Sequence, residues 1–282
     1  MFGSISGSGI AAATAIGGVM LPLEKEQKYD EGFAAAVNIA TAPVGQLIPP
    51  TTAFIVFSAA GGGASVAALF MAGWIPGLLW AACCMVVAFF YARKQGYVIK
   101  RDKLTAKIVG KTIWDAIPSL FLVVIIIGGI LSGKFTPTEA SGVAVAYAFI
   151  LSVFIYRTIK LSEIPKLLVD AAVMTTIVML IIGASSVLSF VMSFTGLPAA
   201  ISKLVLGISS NKYVILLILN IFLLIVGTFM DMAPALLIFT PIFLPIVQSF
   251  GMSPIHFGVM MVMNLSVGTI TPPVGNVLFV GC

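Results

Sequence analysis

Apolar positions run through this chain in stretches too long for a soluble fold. From Gly32 to Ala92 there are 61 consecutive positions without Asp, Glu, Lys or Arg, and from Tyr213 to Cys282 there are 70 with only Asp231. These runs lack the period-two alternation of strands and exceed the ~20 residues a spanning helix needs, so they predict a bundle of membrane helices. Breakers divide them into a helix at 11–23, spans at about 33–60, 66–92, 112–132, 137–157 and 171–194, and segments at 211–226, 233–250 and 254–282. Thr136-Pro137-Thr138-Glu139 has the order of a capping box, and Ser253-Pro254 starts the last segment in a similar way. The stretches 100–115 and 160–170, basic on one side and apolar on the other, read as short helices lying in the interface.

Composition agrees with this pattern: of 282 residues, 60% are hydrophobic and 9% charged, against about 25% charged in ordinary soluble domains. A water-soluble monomer is thereby excluded. The net charge of +5 reports topology rather than a nucleic-acid partner, because seven of the fifteen basic residues fall between Arg93 and Lys111. That loop is expected on the cytoplasmic side, together with the one holding Arg157, Lys160 and Lys166. Lys134 and the turn at Gly61-Gly62-Gly63 then fall outside. Cys83, Cys84 and Cys282 make neither a disulfide framework nor a metal spacing. The opening Gly3-Ser4-Ile5-Ser6-Gly7-Ser8-Gly9 has no signal-peptide form and reads as a cut into something longer.

A repeat lies within the sequence. Pro22, Gly45, Pro49 and Pro50 return 223 residues later as Pro245, Gly268, Pro272 and Pro273. The same shift lays Ser6-Gly7-Ser8-Gly9 on Phe229-Met230-Asp231-Met232. Segments 211–226 and 233–250 are short for spans and meet at a polar tip around Asp231, so they read as a re-entrant hairpin entering from outside. Five spans separate the two copies, which predicts opposite orientations in the membrane. The first hairpin then enters from the cytoplasm, and its first arm is expected before Met1.

The repeated stretches are also where chemistry is expected. Gly45-Gln46-Leu47-Ile48-Pro49-Pro50 and Gly268-Thr269-Ile270-Thr271-Pro272-Pro273 each place prolines after a glycine inside a span, which unwinds the helix and frees carbonyls at membrane depth. Such backbone survives there only when buried in protein or lining a cavity, where half-helix ends offer carbonyls to cations and N–H groups to anions. Proline kinks that serve packing are the alternative. Ser4, Ser6 and Ser8, alternating with Ile5, Gly7 and Gly9, could supply oxygen ligands to a hard cation such as Na⁺, or simply close helix packing. No phosphate-binding glycine loop is present, which leaves direct use of ATP unsupported. Asp231 would cost ~2.5–3.5 kcal/mol if buried unpaired in a membrane, so it must find donors, as an N-cap, at a site, or both.

Ser4-Ile5-Ser6-Gly7-Ser8-Gly9, Thr136-Pro137-Thr138-Glu139-Ala140, Met230-Asp231-Met232-Ala233-Pro234 and Thr271-Pro272-Pro273-Val274-Gly275 together resemble the large membrane (M) subunit of a tripartite ATP-independent periplasmic (TRAP) transporter, of the DctM or sialic-acid type. The resemblance implies an all-α polytopic protein of the bacterial inner membrane, with inverted repeats, re-entrant hairpins and interrupted helices that move as an elevator. It implies Na⁺-driven uptake of an organic acid anion (sialic acid, another sugar acid or a C4-dicarboxylate) from a periplasmic binding (P) protein, and a small membrane (Q) subunit as partner in the lipid bilayer. Residues 1–60 and 195–282 would form the transport block, with 61–194 as connecting and scaffold helices. One Na⁺ site would use Ser4, Ser6, Gly45, Ile48 and Pro50, and its mate Gly227, Thr228, Gly268, Thr271 and Val274. Substrate would lie near Ser8, Thr51, Thr52, Asp231 and Asn276. Asn276 directly follows Gly275, whereas many relatives carry the amide one position later. A stand-alone Na⁺/dicarboxylate symporter shares most of these features. An intramembrane enzyme is disfavoured, since a single His and one deep acid form no nucleophile and base pair.

Overall fold

The computed structural model describes residues 7–61, 63–97, 106–196, 200–201, 203–204, 207 and 211–282, and every regular element among them is helical. In chain order the α-helices are α1 (Gly9–Glu26), α2 (Glu31–Thr41), α3 (Val44–Leu47), α4 (Thr52–Ala60), α5 (Val66–Gln95), α6 (Ala106–Leu131), α7 (Pro137–Ile150), α8 (Ile164–Phe194), α9 (Lys212–Phe229), α10 (Met232–Ser249), α11 (Pro254–Thr269) and α12 (Asn276–Gly281), with a π-helical turn Leu151–Ile155 after α7 and a 3-10 turn Leu161–Glu163 leading into α8. Among the described residues five helical stretches are long and apolar enough to cross a membrane, and the pair Glu31–Leu47 with Thr52–Ala60, bent by 47°, makes a sixth if it is one span. Large apolar side chains such as Ile75, Val87 and Phe90 on α5 stand exposed, as expected of a surface solvated by lipid. The chain is therefore a multi-pass membrane protein.

Two compact units share the chain: Met1–Tyr97 with Ile182–Cys282, and Val98–Ile181. In the second, α6 and α7 pair through a turn with Gly133 at φ +70°. The Tyr147 hydroxyl donates to the Pro118 carbonyl at 2.9 Å. The capping box is formed in full: the Thr136 hydroxyl accepts the Glu139 N–H, and the Glu139 carboxylate accepts the Thr136 N–H at 2.8 Å. Thr136→Ala should cost about 1 kcal/mol of local stability and speed hydrogen exchange of the first-turn amides of α7 roughly fivefold, with Thr136→Ser close to neutral. Unchanged protection in the alanine variant would show that the box contributes nothing.

One expectation needs correcting. The stretch 160–170 is no separate interfacial helix, because α8 runs unbroken from Ile164 to Phe194, and Asp115 likewise lies inside α6, which starts at Ala106. Extending a formed helix by a residue is easier than nucleating a new one, and Pro165 sits in the first turn of α8, where its missing N–H breaks no bond. Residues 100–105 lie outside the described residues.

The first unit contains the repeat. Helices α1, α2 and α4 begin at residues 9, 31 and 52, and α10, α11 and α12 at 232, 254 and 276, so the shift of 223 holds within one residue. Both α1 and α10 have 18 residues and carry their equivalent prolines, Pro22 and Pro245. Both double-proline breaks contain a cis peptide bond. The copies interlock: α1 packs on α12 of the other copy, and α10 on α4. On one side Val277 joins Ala12, Ala13, Ile39 and Ala42 in a buried cluster. On the other, Phe57 meets Phe257 edge-on at 6.2 Å. Small residues on α5 let the first break approach it: a Cβ at Gly73 or Gly77 would strike Leu47 or Ile48.

Candidate functional site

The first break starts where Pro43 cannot donate to the helix. After the single turn α3, Ile48 is extended and Pro49-Pro50 carries the chain to Thr51. The Thr51 hydroxyl accepts the Ala53 N–H as the cap of α4 and donates to the Gln46 carbonyl at 2.9 Å, so the loop is fixed from within. Gly7 closes over it from the tip before α1, its carbonyl accepting from the Thr52 N–H at 3.4 Å and hydroxyl at 3.1 Å. Gly7 has φ +64°, and a Cβ there would sit 2.7 Å from the Pro50 carbonyl oxygen, so both conformation and space call for glycine.

The second break repeats this arrangement with other partners. Gly227, near the end of α9, lies against Gly268 of α11. Further back along the same helix pair, the Asn264 amide donates to the Asn220 side-chain oxygen, a polar tie suited to an apolar surrounding. The Thr228 carbonyl accepts the N–H groups of Val274 and Gly275, each at 3.2 Å, and the Thr271 hydroxyl donates to the Val267 carbonyl at 2.6 Å. Gly275 then turns with φ +49° into α12. The first residue of that helix, Asn276, donates its amide to the Asp231 carboxylate.

Between the two tips lies a cavity of about 90 Å³, lined by Gly7, Ser8, Ile10, Gln46, Thr52, Ala53, Val56, Asp231, Met232 and Ala233. Ser8 and Asp231 are the N-cap residues of the equivalent helices α1 and α10. Two positive helix ends thus flank one cavity, a field that favours an anion.

The residues expected at a site are distributed as follows. Ser4 and Ser6 lie outside the described residues. Gly45, Ile48 and Pro50 form the first break. Gly227, Thr228, Gly268, Thr271 and Val274 are brought together at the second. Ser8, Thr52 and Asp231 line the cavity, and Asn276 is tied to it through Asp231. Thr51, 1% exposed, stands behind the cavity and braces the break. At Asp231 the capping alternative is corrected: it holds the N-cap position, but its carboxylate makes no cap bond and turns to Asn276 instead. Gln46 was missed as a site residue. It is the one polar side chain between Ala42 and Pro50, and that isolation in an apolar run was the signal available.

Two related helix breaks in a multi-pass helical protein, with a cavity between paired tips, are features shared with membrane transport proteins. More particularly, the chain matches the tripartite ATP-independent periplasmic transporter, DctM component, over residues 1–282, and it belongs to that family of transporter components, not to an enzyme family. It is 49% identical, over its whole length, to the uncharacterized protein YgiK of Salmonella typhimurium, covering 64% of that protein. It is 38% identical to the isethionate TRAP transporter permease protein DctMQ of Oleidesulfovibrio alaskensis, with 99% of this chain and 44% of that protein covered. It is 36% identical to the sialic acid TRAP transporter large permease protein SiaM of Vibrio cholerae, with 99% and 65% covered. The chain therefore spans less than two thirds of the length of these relatives.

Proposed function

We propose that this chain forms the ion- and substrate-handling part of a Na⁺-coupled uptake system of the bacterial inner membrane, which takes an organic acid anion from a periplasmic binding protein. The observation that carries this reading is the cavity between the two tips, beside the first of two helix breaks that repeat at one sequence shift. In this reading α9 and α10, each 18 residues and ~27 Å long, form a re-entrant hairpin rather than two spans. The two copies have opposite orientations in the membrane. The hairpins and broken helices travel together as an elevator against a scaffold that a small membrane subunit braces.

The chemistry follows from neutral oxygen donors and helix ends. Gly45, Ile48 and Pro50, with Ser4 and Ser6, offer oxygens for one coupling Na⁺, and Gly227, Thr228, Gly268, Thr271 and Val274 for another. The substrate carboxylate lies between the N-termini of α1 and α10, near Ser8, Thr52, Asp231 and Asn276, with Thr51 holding the first break in shape. Partial loading leaves uncompensated charge in a low-dielectric site, so only the loaded block crosses readily. Net positive charge moving inward gains ~2.3 kcal/mol per elementary charge per 100 mV.

Proteoliposomes holding the full-length subunit, its small partner and the binding protein test this with labelled sialic acid and succinate under an inward Na⁺ gradient. Uptake that needs both Na⁺ and the soluble protein is expected. Equal uptake without the soluble protein would favour the stand-alone symporter, and uptake indifferent to Na⁺ would remove the two ion sites.

A further inference from the structure

The first break is tied to α5 by a side chain that takes no part in the cavity. Ala40 is among the last residues of α2, where carbonyls have no partner within their own helix. Its carbonyl accepts the Trp80 indole N–H at 2.9 Å and, as a weaker contact, the Cys84 thiol at 3.6 Å. Among the described residues these two are the hydrogen bonds that α5 gives to the stretch 31–61. Trp80 and Cys84 continue the face of α5 that carries Gly73 and Gly77, at successive spacings of four, three and four residues. A Cβ at Gly73 would meet the Leu47 carbonyl, and one at Gly77 the Ile48 side chain, so this face follows the chain from the end of α2 past α3. The glycines permit the approach, and the Trp80 bond fixes it. At the other end of the break, the Thr51 hydroxyl holds the Gln46 carbonyl. Gly45, Ile48 and Pro50 all lie between these two ties along the chain. The Gly45 N–H bonds back to the Ala42 carbonyl at 3.0 Å and the Ile48 N–H to the Val44 carbonyl at 2.9 Å, so a shift at the end of α2 passes into the break.

Resting on the reading of Gly45, Ile48 and Pro50 as oxygen ligands of a coupling Na⁺, we propose that Trp80 is a positioning residue of that ion site. Its indole N–H holds the end of α2 on α5 and so sets where the oxygens of the break stand. Without that N–H the Ala40 carbonyl keeps only a thiol donor in an apolar surrounding, and the start of the break loses its one strong bond to the neighbouring helix. Removing an outer partner that orients ion ligands typically lowers ion affinity about 10–100-fold. Trp80 acts through several residues of backbone, which places the expected loss at the lower end of that range.

The test compares Trp80→Phe and Trp80→His with wild type in the purified full-length protein. Na⁺ is titrated against K⁺ at constant ionic strength near pH 8, where an ordinary imidazole is neutral, and binding is read by thermal stabilisation. Phenylalanine keeps more of the ring volume and loses the donor, whereas histidine loses volume and keeps a ring N–H where the indole has its own. Half-saturating Na⁺ is expected to rise about tenfold in Trp80→Phe and no more than about threefold in Trp80→His. A packing role predicts the opposite order, so Trp80→His worse than Trp80→Phe would overturn the proposal. In reconstituted uptake, saturating Na⁺ should return Trp80→Phe to nearly the wild-type maximal rate; a lower maximal rate at an unchanged Na⁺ dependence would also overturn it. If neither variant folds, Trp80 serves the fold rather than the site and the proposal falls. A wild type that Na⁺ does not stabilise would remove the ion site itself, whereas a wild type that responds alongside an unchanged Trp80→Phe would leave the site and remove the role of Trp80 alone.

Discussion

Replacing Gly268 with alanine is expected to lower the stability of the full-length protein by about 3 kcal/mol, the upper part of the usual range for overpacking. A Cβ built on Gly268 would lie 2.5 Å from both the Cα and the carbonyl carbon of Gly227. Both obstacles are backbone, so no rotamer change relieves them, and separating the helices would break the Thr228 contacts to Val274 and Gly275. Gly227→Ala should cost less, since its Cβ would meet Gly268 and Leu265 at 3.1 to 3.3 Å. Gly142→Ala is the internal control: no atom lies within 4 Å of a Cβ there, and alanine in a helix should be neutral or stabilising by up to ~1 kcal/mol. Thermal unfolding in detergent ranks the three. A Gly268→Ala protein as stable as Gly142→Ala would show that the two backbones do not meet closely.

The same crossing shows what could be read in the sequence and what could not. Gly45 and Gly268 occupy matched positions, and the shift that relates them also relates the starts of three helix pairs. That much was legible because prolines and glycines act locally, through a missing N–H or a missing Cβ. Pro49-Pro50 and Pro272-Pro273 stop a helix whatever surrounds them. The Thr136 box was legible for the same reason, as both of its bonds join residues three apart. The length of α8 was not: charge in residues 160–170 suggested a boundary, but charge does not end a helix that has no breaker.

The site was less legible than the breaks because its contacts join residues far apart. Nothing near Asp231 in sequence indicates that its partner is Asn276, or that Gly7 will lie on Thr52. The exchange of partners between copies, α1 on α12 and α10 on α4, brings those residues together, and it is a property of packing rather than of any local motif. Gln46 illustrates the limit from the other direction. Its place in an apolar run could be seen, but the lack of a partner for its buried oxygen emerges only from the packing around it.

The Asp231 and Asn276 pair allows a sharper test of the proposed transport site than either residue alone. It is a tie between the tip before α10 and the start of α12, with a carboxylate as acceptor. Hydrogen bonds to charged groups contribute about 1.5–3 kcal/mol, so Asp231→Ala and Asn276→Ala should each lower Na⁺-driven uptake roughly ten- to hundredfold. Asp231→Asn should fare little better, because a neutral amide offers a weaker acceptor. If the tie is what matters, the double alanine variant should be no worse than the poorer single one, since the second change removes a partner that has already lost its bond. If each residue instead met substrate independently, the two losses would multiply. Uptake by the four proteins, wild type, two single variants and the double, decides between these outcomes. A multiplied loss would separate the residues, giving Asp231 and Asn276 distinct contacts across the cavity instead of one shared clasp.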